Sequence, residues 1–172
     1  MDELAKIIGE TVSFDDEEFI LPRIKQVVKL LKNNPFFERI NFLLRNREIA
    51  TRKVKNVFGE ISCPNCIGTA FFVAGVGKFD YPYYAHRFEF DTGTGYNDCN
   101  EHIPIKMNIS KRVPGAFVAS YCSLIDGWHI GIYIGKVNEY SVAFSQQGHG
   151  GAFGVETVVH NYKRPEYYSA RK

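Results

Sequence analysis

The sequence contains no apolar run of about eighteen residues, the length that a membrane-spanning helix needs. Its opening stretch, MDELAKIIGETVSFDDEEF, is acidic and helical in pattern, whereas an export signal is basic and then apolar. The chain as written therefore reads as cytoplasmic, with no membrane span. A dominant charge is missing too: 21 Lys and Arg stand against 19 Asp and Glu, for a net charge of +2. That balance gives no general reason to expect a nucleic-acid partner or an anionic membrane. There is no internal repeat at a fixed period and no low-complexity tract. Cysteine is scarce, and four of them without a signal are better explained as thiols than as a disulfide framework. A zinc site would need a second close pair, but Cys99 and Cys122 stand apart, and Asp98-Cys99-Asn100-Glu101-His102 is not a standard spacing. No metal and no cofactor are expected.

What is present suits a globular chain of 172 residues, with 45% apolar and 15% aromatic side chains. Residues 2–9 fit a short helix, and Ser13 followed by Asp16 fits a capping box for the next one. Ile24, Val27, Val28, Leu30 and Leu31 then recur at helical spacing, until Asn33-Asn34-Pro35 interrupts them. A third helix is expected through Phe36, Ile40 and Leu44, followed by a basic stretch from Arg45 to Lys55 that reads as a solvated face. Near residue 56 the texture changes, giving a helical N-terminal extension over 1–56 and a second part over 57–172. Residues 66–76 read as a buried helix opening at Asn65-Cys66. Period-two segments follow at 87–91, 102–109, 115–122, 128–136, 139–146 and 154–161, separated by turn signals such as Pro114-Gly115 and Gly148 to Gly151. Helices followed by an antiparallel sheet indicate an α+β fold.

Two side chains carry candidate chemistry. Cys66 stands where a helix begins, and free N–H groups together with the positive end of the dipole stabilise a thiolate there. His129 opens a strand in which the isoleucines take one face while His129, Gly131 and Tyr133 take the other. The clearing at Gly131 leaves room for a second element and a substrate. A cysteine in an apolar helix is ordinarily an inert core residue, and a histidine near a turn is ordinarily surface decoration. Their conjunction, one at a helix start and one at a strand start, is what suggests a nucleophile and its base.

These residues resemble the NlpC-type cysteine peptidases. The resemblance is carried by Asn65-Cys66-Ile67-Gly68-Thr69-Ala70-Phe71, by Pro114-Gly115-Ala116-Phe117-Val118, and by His129-Ile130-Gly131-Ile132-Tyr133-Ile134-Gly135, in that order. It extends through Gly150-Gly151-Ala152-Phe153-Gly154-Val155 to the basic end, and spans about residues 57–171. It implies a papain-like core in which Cys66 attacks an amide carbonyl with His129 as base, on a cell-wall peptide or peptidoglycan fragment. The chain departs from the family pattern at Asn65 and Ala116, where Asp is usual, and at Ile67-Gly68-Thr69, where Ser-Gly-Leu is usual. The family's tyrosine upstream of the nucleophile has no clear counterpart, Phe58 being the nearest aromatic. A third polar residue is expected late in the strand after His129; Gln146 is the choice, because its amide oxygen can accept an imidazole N–H, with Ser145 and His149 as alternatives. The loop from Tyr81 to His102 is expected to form one wall of the cleft.

Two other readings remain open. Cys63-Pro64-Asn65-Cys66 has the local form of a dithiol redox motif, or of a switch that inactivates the hydrolase by pairing Cys63 with Cys66. An inactive binding module on the same fold is the other.

Overall fold

The computed structural model describes residues 2–86, 105–123 and 127–170. The expected strand at 87–91, together with Cys99, His102 and most of the Tyr81 to His102 loop, lies outside them. The architecture is α+β, as expected. The N-terminal part contributes helices α1 (Glu3–Thr11), α2 (Glu17–Ile20), α3 (Ile24–Lys32) and α4 (Phe37–Arg45). A short pair of strands, β1 (Val54–Lys55) and β2 (Ile61–Ser62), leads into α5 (Cys66–Ala74). Then come β3 (Ile105–Met107), β4 (Phe117–Cys122), β5 (Gly127–Val137), β6 (Tyr140–Gln146), β7 (Phe153–Thr157), α6 (Val158–Asn161) and β8 (Glu166–Ser169). These later strands form a six-stranded antiparallel sheet in the order β3-β8-β4-β5-β6-β7.

The alternation in β5 divides the sheet into two faces. Ile130, Ile132 and Ile134 join Val142 and Phe144 of β6 against Phe71 of α5, in a cluster that also takes in Leu4, Ile8, Val27, Leu31, Ile40 and Leu43. The N-terminal helices therefore share the core of the sheet, and surface ion pairs from Arg45 to Glu3 and from Arg47 to Glu10 hold them to one another. The opposite face carries Val118, Tyr133, Ala143, Tyr162 and Tyr167.

Two local expectations are corrected. Ser13 makes no side-chain cap; residues 14–16 form a 3-10 turn, and the carboxylate of Asp16 is buried elsewhere. It accepts from Thr157 Oγ1, from Asn161 Nδ2 at 3.0 Å and from Ser13 Oγ at 3.0 Å. That carboxylate also explains why the strand expected over 154–161 ends at Thr157. Thr157 and Asn161 can reach one acceptor only if the chain coils into a helical turn, because residues four apart share a helix face.

Candidate active site

Helix α5 begins where the sequence places it. Asn65 caps it, its Oδ1 accepting from Gly68 N at 3.0 Å and from Ala85 N at 3.1 Å, while its Nδ2 donates to the Ala85 carbonyl at 2.8 Å. One amide thus fixes the helix start and straps residues 83–85 across it. Gly68 is what permits this approach, because a Cβ there would lie 1.7 Å from the Tyr83 carbonyl oxygen. Asn65 satisfies the N–H groups of Gly68 and Thr69, which leaves those of Cys66 and Ile67 as the unpartnered donors of the first turn among the described residues. Cys66 is nine-tenths or more buried, and its thiol donates to the Trp128 carbonyl at 3.5 Å.

The helix start meets the beginning of β5, where the Cys66 thiol reaches the Trp128 carbonyl, and this brings the Cys66 side chain close enough to His129 for the two to interact. The Nε2 of His129 lies 2.9 Å from Glu156 Oε1 on β7. Glu156 is only 2% exposed and is fully engaged: Tyr162 Oη donates to Oε1 at 2.6 Å, and Gln147 Nε2 donates to Oε2 at 2.6 Å. Gly131 provides the space this needs, since a Cβ there would lie 2.3 Å from Tyr162 Oη and 2.7 Å from the Phe144 carbonyl oxygen.

Burial opposes charge on both members of the ion pair, and local bonding overcomes it on both. Desolvation alone would lower the His129 pKa, but hydrogen bonds with Cys66 and Glu156 and the attraction of the carboxylate raise it from 6.5 to about 10. Burial likewise pushes Glu156 upward, yet His129, Tyr162 and Gln147 together hold it below the usual carboxylate value. Tyr162, buried beside that negative charge, is pushed well above an ordinary phenol and keeps its proton.

Gln146 is not the partner of His129. It lies on the opposite face of β6, fully buried, where Thr69 Oγ1 donates to its Oε1 at 2.5 Å and its Nε2 donates to the carbonyls of Ala50 and Gly151 at 3.2 and 3.0 Å. It ties α5, the 3-10 turn Arg47–Thr51 that follows α4, and the glycine turn together. Ser145 lies on the His129 face but accepts from Gln147 Nε2 at 3.1 Å, while His149 sits 2.8 Å from Ser62 Oγ beside β2. The missed residue is Glu156, and a signal for it existed: a lone carboxylate inside the run Gly154-Val155-Glu156-Thr157-Val158 must be paired if that strand is buried.

Cys63 is half-buried, with its thiol 3.4 Å from the Thr51 carbonyl, and it follows a two-residue strand. The six-stranded sheet is antiparallel throughout, so the βαβ setting of a dithiol redox motif is not formed by the described residues. No group of three or more metal-ligating side chains occurs among the described residues, and no helix among them is long and apolar enough to cross a membrane.

A cavity of about 500 Å³ opens beside His129, lined among others by Ser120, Tyr121, Trp128, Lys163 and Arg164. Its Trp128 is the residue whose carbonyl accepts from the Cys66 thiol. No family model, curated protein or solved structure matches the chain.

Proposed function

We propose that the chain is a thiol hydrolase with a papain-like core of the NlpC type, cleaving an amide bond in a cell-wall peptide or a related peptide. The observation that carries this reading is the file of Cys66, His129 and Glu156, whose middle member His129 borders a cavity. A sulfur beside an imidazole, itself held by a buried carboxylate, is the arrangement that nucleophilic catalysis by a thiol requires.

In this reading the Cys66 thiolate attacks the carbonyl carbon, and the developing oxyanion is met by the N–H groups of Cys66 and Ile67. His129, kept as an imidazolium by Glu156, gives its proton to the leaving amine as the C–N bond breaks. Water, deprotonated by the now neutral imidazole, then adds to the thioester; the C–S bond breaks, the acid is released, and the thiolate beside an imidazolium is restored.

The test is labelling followed by turnover. Iodoacetamide at neutral pH, read by intact mass and peptide mapping, is expected to modify Cys66 ahead of Cys63 and Cys122, and His129→Ala is expected to remove that preference. Hydrolysis of peptidoglycan stem peptides is expected to fall by a factor on the order of 10⁴ or more in Cys66→Ala. Turnover that survives Cys66→Ala would retire the proposal.

A further inference from the structure

The carboxylate that holds His129 is itself held, from both of its oxygens. Tyr162 Oη donates to Glu156 Oε1 at 2.6 Å, the same oxygen that meets His129 Nε2 at 2.9 Å. Gln147 Nε2 donates to Oε2 at 2.6 Å and also to Ser145 Oγ at 3.1 Å, which the two N–H bonds of one amide allow. Ser145 closes the circle, because its side chain stands beside the Tyr162 hydroxyl and interacts with it. Ser145 on β6, Glu156 on β7 and Tyr162 just after α6 are buried, whereas Gln147 is exposed just past the end of β6.

The backbone makes room for this circle. A Cβ at Gly131 would meet Tyr162 Oη at 2.3 Å and the Ser145 Cβ at 3.3 Å, so any larger residue there would push the phenol and the hydroxyl aside. Tyr162 is fixed by its own backbone, whose N–H donates to the Val158 carbonyl at 2.9 Å, and its ring lies against the imidazole with centroids 4.8 Å apart. Burial beside the negative Glu156 keeps the proton on Tyr162, so the phenol stays a donor. Each hydrogen bond donated to a carboxylate takes up part of its charge, and a carboxylate so engaged pulls less strongly on the proton of the imidazolium. A general acid works best when it holds its proton neither too weakly nor too tightly.

We propose that Tyr162, with Ser145 and Gln147 behind it, is a positioning residue of the site: it aims Glu156 Oε1 at His129 and takes up enough of the carboxylate's charge for the imidazolium to release its proton to the leaving amine. The inference rests on the thiol-hydrolase reading in one respect only, the identity of that proton's recipient. The sign of the effect separates this role from simple propping. A prop, once shortened, loosens the ion pair and the ring lets its proton go more easily; a tempering donor, once removed, leaves a more basic carboxylate and the ring holds its proton harder. The other titratable groups facing His129 are Cys66 on α5 and, around the adjoining cavity, Lys163, Arg164 and Glu166, and exchanging the phenol for a phenyl alters none of them.

Tyr162→Phe keeps the ring against the imidazole and removes the O–H alone. In the full chain, the ring resonances of His129, assigned by their loss in His129→Gln, are followed by NMR across pH, which needs no turnover. Their midpoint is expected to rise by about half a pH unit in Tyr162→Phe, opposite in sign to the fall expected for Glu156→Gln. Gln147→Ala, at an exposed position, is expected to move it the same way by less, and decides by the same sign should Tyr162→Phe fail to fold. Hydrolysis of stem peptides should fall about tenfold in Tyr162→Phe, with a smaller loss in Cys66 alkylation, a step that protonates no leaving amine. A midpoint that stays in place or falls would overturn the tempering role. A risen midpoint in a chain that hydrolyses nothing would instead sink the hydrolase reading and leave the hold of Tyr162 on Glu156 standing.

Discussion

Two buried carboxylates in this molecule are built from nearly the same parts. Glu156 holds His129 at 2.9 Å, with the hydroxyl of Tyr162 and the amide of Gln147 on its oxygens. Asp16 holds His160 at 3.0 Å, with the hydroxyls of Thr157 and Ser13 and the amide of Asn161. Both sit at the end of β7, so a search for histidine–carboxylate pairs alone would return both. They differ in what the far side of the ring meets. His129 is 21% exposed, beside a thiol and bordered by a cavity, whereas His160 is 42% exposed and meets Thr157 through the same Nδ1 that faces Asp16. The pairing marks a place where polar groups had to be buried; the sulfur and the cavity mark a place where they can react.

Glu156→Gln should break the first pair most severely. The folded state binds the His129 proton more tightly than the unfolded chain does, because its pKa is raised from 6.5 to about 10. That contribution to stability is fully present below pH 6.5 and is lost as pH rises through about 10. Removing the carboxylate's charge lowers the pKa of the ring, so both this loss and the alkaline limb of Cys66 alkylation should move to lower pH. Alkylation and turnover at neutral pH should fall on the order of a hundredfold or more. Rates of iodoacetamide labelling across pH, with unfolding followed in parallel, check both parts; an unmoved alkaline limb would break the link between Glu156 and the ring.

Asp16→Asn should have the opposite character, costing stability and sparing chemistry. Burial raises the Asp16 pKa, but hydrogen bonds from Thr157, His160, Asn161 and Ser13 outweigh that and leave it below 3.8. Its contribution is present above pH 3.8 and is lost as pH falls through the lower folded value. An asparagine there turns an NH₂ donor toward other donors, at a cost of about 1–3 kcal/mol. Urea unfolding at neutral pH should show that loss, shrinking in acid, while the alkylation rate of the folded protein stays at the wild-type value.

Much of this was legible in the residues, for identifiable reasons. The three N-terminal helices, the helix at Cys66 and four strands follow from periodicity, because each buries one face. The approach of Cys66 to His129 was readable from a helix start and a strand start in one α+β chain. The third partner was not, and parity explains why. Gln146 shares its face of β6 with Val142 and Phe144, which pack on α5, while His129 lies on the other face together with Ala143 and Ser145. A correct choice needed the register of β7, in which Glu156 stands opposite Ala143, and register is a long-range property that one strand's pattern does not contain. Asp16 was misread for a similar reason: beside Ser13, its partners Thr157, His160 and Asn161 are more than a hundred residues away, with sequence separations of 141, 144 and 145, and local capping rules could see only Ser13.

The smallest effect sharpens the comparison furthest. Exchanging His160 for Gln removes one of several groups around Asp16, and the carboxylate keeps Thr157, Asn161 and Ser13. Because the His160 side chain is 42% exposed, its bond to Asp16 competes with water, and the expected loss is under about 1 kcal/mol. The same exchange at His129 removes the proton carrier beside the sulfur, and Cys66 should lose its preferential alkylation altogether. Stability curves and labelling rates for the two variants, measured side by side, put the contrast in two numbers. If His160→Gln slowed labelling of Cys66 as His129→Gln does, the two pairs would be one coupled network through β7, and the division between anchor and site would have to be redrawn.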